Sequence, residues 1–410
     1  RAAEGGPHDI YPFSLEPTML VQFLWPNIFG NHFPENSFWM DTFDKLAFRR
    51  TIWVQSLYLG SLSLVLALSA FGFRRGPAWR SWMSGIVVVS LFASLGQFTS
   101  PIWLTRVIDV WSKPDAKEAI RKGTYPGSET LLKIGPMDPA EVIPIREDGY
   151  LRDGDGGFYW MLSTFLPGFR QFRYPSKLLT FACLGLSALA ALGWERLLAD
   201  DRQRARRWAI GIGGVTALLL IGVLTGRTPL MRALSSIESA SQWGPVMPAL
   251  AYRAIWISFA YTLIVLAAGI GIFRLARKRP SLAGAIAVAM VAADLAVANS
   301  RLILTSPQPL YEGMPETLRH IQEAESKDPA DGPFRIHRMP IWNPLSWHLV
   351  ASNSRAADYT KWERDTIQPK YGITEGVEYT QTMGVTELYD YEWFFAPFER
   401  KARAQIAQLL

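Results

Sequence analysis

The chain has 410 residues, 49% hydrophobic and 13% aromatic, with a formal net charge of +6. Its mean hydropathy is only +0.08, which excludes a protein lying wholly in a membrane and suits a membrane bundle joined to sizeable polar portions. The basic residues fall between apolar runs rather than along one helix or strand face, so they read as topology signals and not as a nucleic-acid footprint.

The first 51 residues are polar and aromatic, and Pro12 and Pro17 break any long helix there. Met19 to Phe29 is apolar but interrupted by Pro26, and falls short of the roughly 20 apolar residues a span needs. It is expected to lie in the interface or pack on the bundle, as part of an extracytoplasmic loop.

Six spans are expected, at about 52–73, 79–97, 178–194, 208–225, 254–273 and 282–302. Between and just inside the first two lie Arg74, Arg75 and Arg80. Between the third and fourth lie Arg196, Arg202, Arg204, Arg206 and Arg207, and between the last two lie Arg274, Arg277, Lys278 and Arg279. The positive-inside rule puts these connections in the cytoplasm, and both ends of the chain and the loop 100–177 outside. Trp53, Trp79, Trp82, Trp103, Trp194, Trp208 and Trp256 lie near span ends, where an aromatic belt would sit. Within the outer loop, Gly157 to Phe169 is apolar and stops at Pro167-Gly168, as a short interfacial or re-entrant helix would. The connection Gly226 to Tyr252 contains an amphipathic piece. Gly211, Gly213 and Gly214 sit in the fourth span, where small residues usually serve helix packing.

Residues 305–410 form a polar extracytoplasmic portion. Pro315 starts a helix, the FRIHRM run (Phe334, Ile336, His337) fits a strand leaving it, and Asn343-Pro344 marks a turn. The fold class is therefore mainly α: a polytopic membrane helix bundle with extracytoplasmic loops and a small, incomplete α/β extracytoplasmic C-terminal portion. A chain that starts outside without an export signal is expected to be a fragment with membrane segments upstream, and ARAQIAQLL at the end looks like an amphipathic helix cut short.

Several stretches carry a family resemblance: SLEPTMLVQFLWPNIFGN (Ser14–Asn31), LYLGSLSLVLAL (Leu57–Leu68), LPGFRQFRYPSKLL (Leu166–Leu179), LAALGWERL (Leu189–Leu197) and AADLAVAN (Ala292–Asn299). Together they resemble the YfhO-like family of bacterial membrane proteins, most specifically in the LPGF–FR–PSK element and the span ending L-G-x-E-R-L. That family is grouped with the C-type glycosyltransferases. The resemblance implies a multi-pass enzyme of the bacterial cytoplasmic (inner) membrane. Such an enzyme moves a sugar from a polyprenyl-phosphate donor to an extracytoplasmic cell-envelope glycan acceptor. C-type enzymes usually carry their catalytic carboxylate in the first outer loop after the first span, and this chain is expected to start downstream of it.

Candidate residues follow from that chemistry. Arg170, Arg173 and Lys177 lie on the expected outer face, where a polyprenyl-phosphate head group would need Arg or Lys pairing; the alternative is snorkelling at the end of the third span. Asp294 is a carboxylate inside the sixth span, where charge is costly; it either pairs with an arginine such as Arg301 or acts near the sugar. Asp9, beside His8, and Glu16 are outer carboxylates that could serve as general base for an acceptor hydroxyl, or be a turn Asp and a solvated Glu. Asp153-Gly154-Asp155 has the form of a DxD that would hold a divalent metal ion, or of a plain turn. No two of the five histidines have zinc spacing, and there is no phosphate-binding glycine loop. Trp362, Glu363, Tyr379, Tyr389 and Tyr391 form either an aromatic sugar platform or core. A non-catalytic membrane scaffold and a lipid or polysaccharide transporter are the competing readings. The spans, with almost no charge besides Asp294, speak against an ion-coupled transporter.

Overall fold

The computed structural model describes residues 13–30, 54–74, 76–101, 156–167, 169, 174–199, 202–237, 244–303, 305–329, 335–336 and 344–379. The chain divides into two compact units. One holds residues 1–238 and 246–302, the other residues 239–245 and 303–410.

The first unit is helical. Its elements are α1 (Ser61–Ala70), α2 (Ala78–Ser94), α3 (Phe158–Phe165), α4 (Leu179–Leu198), α5 (Arg202–Thr225), α6 (Arg227–Ser235), α7 (Pro248–Ala276) and α8 (Pro280–Asn299). A 3₁₀ turn at Pro175–Leu178 runs directly into α4. Among the described residues, four helices are long and apolar enough to cross a bilayer: Pro175–Leu198, Gln203–Thr225, Pro248–Ala276 and Pro280–Asn299. They correspond to the third to sixth expected spans. The second expected span appears as the 17-residue α2. The short helix within the outer loop is α3, and the amphipathic piece is α6.

The first expected span needs correcting. Instead of one helix over 52–73, α1 covers only 10 residues, and residues 54–60 are non-helical. Gly60 (φ +90°) stops the helix in a conformation that disfavours a side chain, and a Cβ there would lie 3.2 Å from Asp294 Oδ2. Irregular backbone in an apolar bundle is tolerated where protein buries it; Leu57 and Tyr58 are both buried.

Helix α4 lies between α1 and α2. The close approach comes from α4, not from the glycines of α5. A Cβ on Gly193 would fall 2.1 Å from the Leu66 carbonyl oxygen, and one on Gly185 would fall 2.7 Å from Val87 Cγ2. Gly211 and Gly214 have nothing within 4 Å, and Gly213 only brushes Leu266 at 3.9 Å, so packing does not explain them. The reason is the small buried face of α5: Ala205, Ala209 and Thr216 are buried, whereas Trp208, Val215, Leu218 and Ile221 are exposed. That is the pattern of a helix turned mostly toward lipid.

The three arginine-rich connections come to the same end of this unit. Leu197, Ala205, Ala209, Phe273, Ala276 and Ala283 form part of one core cluster next to them. Gly76 (φ +105°) sits between Arg80 and Arg196, with room for a Cβ only 2.7 Å from the Arg196 guanidinium. Arg80 is itself buried, donating from Nε to the Ala70 carbonyl and from Nη2 to the Phe71 carbonyl at 2.8 Å. It thus places a positive charge on the orphan carbonyls that end α1. Arg80→Met is expected to cost about 2–4 kcal/mol, because it leaves these buried acceptors unpaired; thermal unfolding in detergent would measure this, and a near-neutral result would show that the turn is held by other contacts.

The segment 13–30 packs on the bundle. Its 3₁₀ helix Pro17–Phe23 buries Met19, in a cluster with Leu15, Leu57 and Leu179. Trp25 Nε1 donates to Thr216 Oγ1 (3.1 Å), Thr262 Oγ1 donates to the Leu24 carbonyl (3.0 Å), and Asn27 Nδ2 donates to the Ala298 carbonyl (2.7 Å). Hydrogen bonds buried in an apolar bundle fix a segment that is too short to span.

The second unit contains α9 (Glu316–Lys327), α10 (Arg355–Asp365) and the single turn α11 (Pro369–Gly372). Among its described residues there is no β-strand. Of FRIHRM only Arg335 and Ile336 are described, and Ile336 makes an isolated parallel bridge to Tyr379. Helix, turn and side-chain contacts take up the backbone instead. Arg355 is buried beneath Trp347 (4.7 Å from guanidinium carbon to ring centroid), bonds the Val350 carbonyl and faces Asp358 at 3.6 Å. Arg364 donates to the Glu312 and Gly313 carbonyls. Trp362 packs on Trp347 and Tyr359, Glu363 is buried, and Tyr379 donates to the Ile367 carbonyl. Trp362 and Tyr379 are half-buried; Tyr389 and Tyr391 lie outside the described residues. Burial pushes the Tyr371 phenol above its usual range, and the neighbouring Glu363 carboxylate adds to the effect.

Candidate functional site

Helix α4 separates the two ends of the first unit. Arg196 is near its C-terminus at the arginine-rich end, and Lys177 lies just before its N-terminus, about 30 Å away at 1.5 Å per residue. The Lys177 side chain is exposed, with Nζ 4.7 Å from the centre of the Tyr174 ring. Tyr174 is held left-handed (φ +71°) ahead of Pro175, which turns the chain into the helix. Beside Lys177, Ser176 is buried and its hydroxyl has no hydrogen-bond partner among the described residues.

Sequence-distant residues meet at this end. The Phe13 and Tyr174 rings pack 5.0 Å apart. Ser14 Oγ accepts from the Gln97 amide (3.1 Å), and Leu15 N–H donates to the Ser94 carbonyl (2.8 Å). Gly96 (φ +51°) has no room for a Cβ, because Ser14 on one side and Pro175 on the other would lie within 3 Å of it. Glu16 follows directly, half-buried, as the residue that opens the helix Pro17–Phe23. Glu16 and Lys177, 161 positions apart in the chain, are therefore carried on neighbouring segments. The same end is closed by Phe158 N–H donating to Thr99 Oγ1 (2.9 Å), which draws together the two sides of the outer loop, and Tyr159 packs there with Ala93 and Leu178. Arg170, Arg173, Asp9, Asp153 and Asp155 lie outside the described residues.

Asp294 is elsewhere and has different partners from the arginine expected for it. It is 5% exposed. Tyr58 Oη donates to both carboxylate oxygens (2.9 and 3.0 Å) and Tyr261 Oη donates to Oδ1 (2.7 Å). Tyr58 Oη also accepts from the Ser61 amide at 3.0 Å, so the network reaches the buried N–H end of α1. Hydroxyl donors satisfy the carboxylate without a second buried charge, which is why Arg301 is not recruited. The network joins residues 54–60, α7 and α8. Neither Tyr58 nor Tyr261 was singled out from sequence alone, although Tyr58 lies in the LYLGSLSLVLAL stretch. A hydroxyl-bearing aromatic within an apolar run is the only cue.

Among the described residues, no group of three or more His, Cys, Asp or Glu could hold a metal ion. No protein-family model, curated protein or solved structure matches this chain.

Proposed function

We propose that this chain belongs to an integral membrane glycosyltransferase of the C type, transferring a sugar from a polyprenyl-phosphate donor to an extracytoplasmic cell-envelope acceptor. The observation that carries the reading is that Glu16 and Lys177 lie on segments packed together through Phe13, Ser14, Tyr174 and Pro175, at the end of the bundle away from the arginine-rich turns. That end is a membrane surface poor in arginine-rich turns, where a cation has a use other than fixing topology. Residues 239–245, from the connection between α6 and α7, cluster with the tail that follows α8, which supports placing both on the outer side of a bacterial inner membrane.

In this reading Lys177, with Arg170 and Arg173 from the same segment, pairs with the phosphate of the donor. The acceptor hydroxyl attacks the anomeric carbon while a carboxylate, Glu16 or Asp9, takes its proton. The bond from the anomeric carbon to the phosphate oxygen breaks, and the polyprenyl phosphate leaves with the electron pair, its negative charge held by the basic residues. Asp294 has no proton-transfer role here; it holds the bundle together.

The test is transfer of radiolabelled sugar from a panel of polyprenyl-phosphate hexoses in membranes carrying the protein. The triple variant Arg170→Gln, Arg173→Gln, Lys177→Gln is expected to lose transfer by at least about tenfold, the scale of two or three charge-assisted phosphate contacts. Unchanged transfer in a variant that reaches the membrane at normal abundance would leave the basic residues with a snorkelling role and favour the scaffold reading.

A further inference from the structure

We infer that a second site, on α7 and α8, binds the phosphate group of a membrane amphiphile. A cleft of about 280 Å³ opens between the first four turns of α7 and the C-terminal end of α8, with Pro26, Asn27 and Gly30 also lining it. Arg253 and Arg301 line it, and no Asp or Glu is among its described lining residues. Both arginines are exposed, and neither has an ion-pair or hydrogen-bond partner among the described residues. Ser258 lines the same cleft at 3% exposure, and its Oγ is buried without a hydrogen bond.

The other polar groups of the cleft are committed. Asn27 Nδ2 covers the Ala298 carbonyl, so that carbonyl near the C-terminus of α8 is not left facing an anion. Ser300 Oγ donates to the Val297 carbonyl (2.9 Å), and Tyr261 donates to Asp294. What is left free is two guanidinium forks and one hydroxyl. A buried hydroxyl with no partner is unfavourable unless something accepts its proton. Phosphate, with several acceptor oxygens and up to two negative charges, meets all three groups; guanidinium matches its geometry bidentately. The rim supplies the other half of the ligand. Ile257 and Val297 are exposed at the cleft, and Ile264, two turns further along α7, continues an apolar track. A free phosphate would have no use for that track, whereas a lipid chain would lie along it. The inference does not rest on the transferase reading, because it uses neither Glu16 nor Lys177 and concerns binding alone.

The experiment is binding by the full chain in detergent micelles, followed by native mass spectrometry. The probes are dioleoyl phosphatidic acid, dioleoylglycerol with the same chains, and inorganic phosphate. Phosphatidic acid is expected to bind and dioleoylglycerol not. Arg253→Gln with Arg301→Gln should weaken binding about tenfold or more, and Ser258→Ala about threefold. The paired lysine variant should keep most of the affinity, and Arg274→Gln with Arg277→Gln, at the other end of the bundle, should keep all of it. Equal binding of dioleoylglycerol, or undiminished phosphatidic acid binding by the glutamine pair at an unchanged unfolding temperature, would overturn the site. Inorganic phosphate displacing phosphatidic acid at equal concentration would overturn the lipid as its ligand and assign the site to a soluble anion.

Discussion

Gly193→Val is expected to abolish a stable bundle in detergent. A Cβ at that position would meet the Leu66 carbonyl oxygen at 2.1 Å, its carbon at 2.7 Å and Ser69 Oγ at 3.0 Å. The first two are backbone atoms of α1 and cannot move aside as a flexible side chain can. Helices α1 and α4 would have to separate, stripping packing from Leu62, Val65, Leu66 and Leu189, all buried here. Overpacking of a tight core costs about 1–3 kcal/mol and more where backbone is the obstacle, and in lipid there is no hydrophobic gain to offset lost van der Waals contact. Even Gly193→Ala should lower stability. Gly211→Ala and Gly214→Ala, with open space around each, should be neutral or slightly stabilising through helix propensity. The single cysteine offers the readout: Cys183 is half-buried in α4 itself, so its reaction with a thiol dye during a thermal ramp reports when this helix comes loose. An unfolding temperature for Gly193→Val equal to that of the parent would show that α1 and α4 do not approach as described.

Asp294→Ala should be nearly as damaging, for an electrostatic reason. The substitution removes the common acceptor of a buried phenol, Tyr58, and a half-buried one, Tyr261, and detaches the 54–60 segment from α8. Leaving such groups unpaired costs about 2–4 kcal/mol in total. Asp294→Asn keeps one acceptor oxygen and should cost less. Removing both donors together with the acceptor, as Tyr58→Phe, Tyr261→Phe and Asp294→Leu, should recover part of the loss, because the apolar triplet removes the phenols and their acceptor together and leaves only the Ser61 amide without its Tyr58 partner. The recovery separates a structural carboxylate from a catalytic one: if the triple variant is as unstable as Asp294→Ala, hydrogen bonding is not what this residue contributes.

The four long helices were legible because roughly 20 consecutive uncharged residues have few alternatives to crossing a bilayer, and the arginines between them marked the turns. The same hydropathy misjudged Ile52 to Phe73. An apolar run does not reveal that Gly60 adopts positive φ or that Tyr58 turns inward to a carboxylate 236 positions away. Glycines illustrate the same limit. Three in α5 looked like a packing motif, but which helix meets which is a tertiary fact, and the tight contacts fell to Gly185 and Gly193. The general address of the candidate site was readable, since Lys177 stands out beside a Pro-marked helix entry and Glu16 beside another. Their convergence was not, because it depends on Ser14, Gly96 and Pro175 fitting together. In the tail, FRIHRM has strand-like alternation, and of its two described residues Ile336 makes an isolated bridge to Tyr379, a partner 43 positions away that local alternation does not reveal.

The central claim is that the long apolar helices cross a bilayer with their arginine-rich turns on one side and the tail on the other. Single cysteines placed at Arg206, Lys278 and Ser326 in a Cys183→Ser background, all at exposed positions, test it with a membrane-impermeant maleimide. The account predicts that Ser326→Cys is labelled on intact cells, and that Arg206→Cys and Lys278→Cys are labelled only after the membrane is opened. Labelling of all three positions from the same side would contradict it.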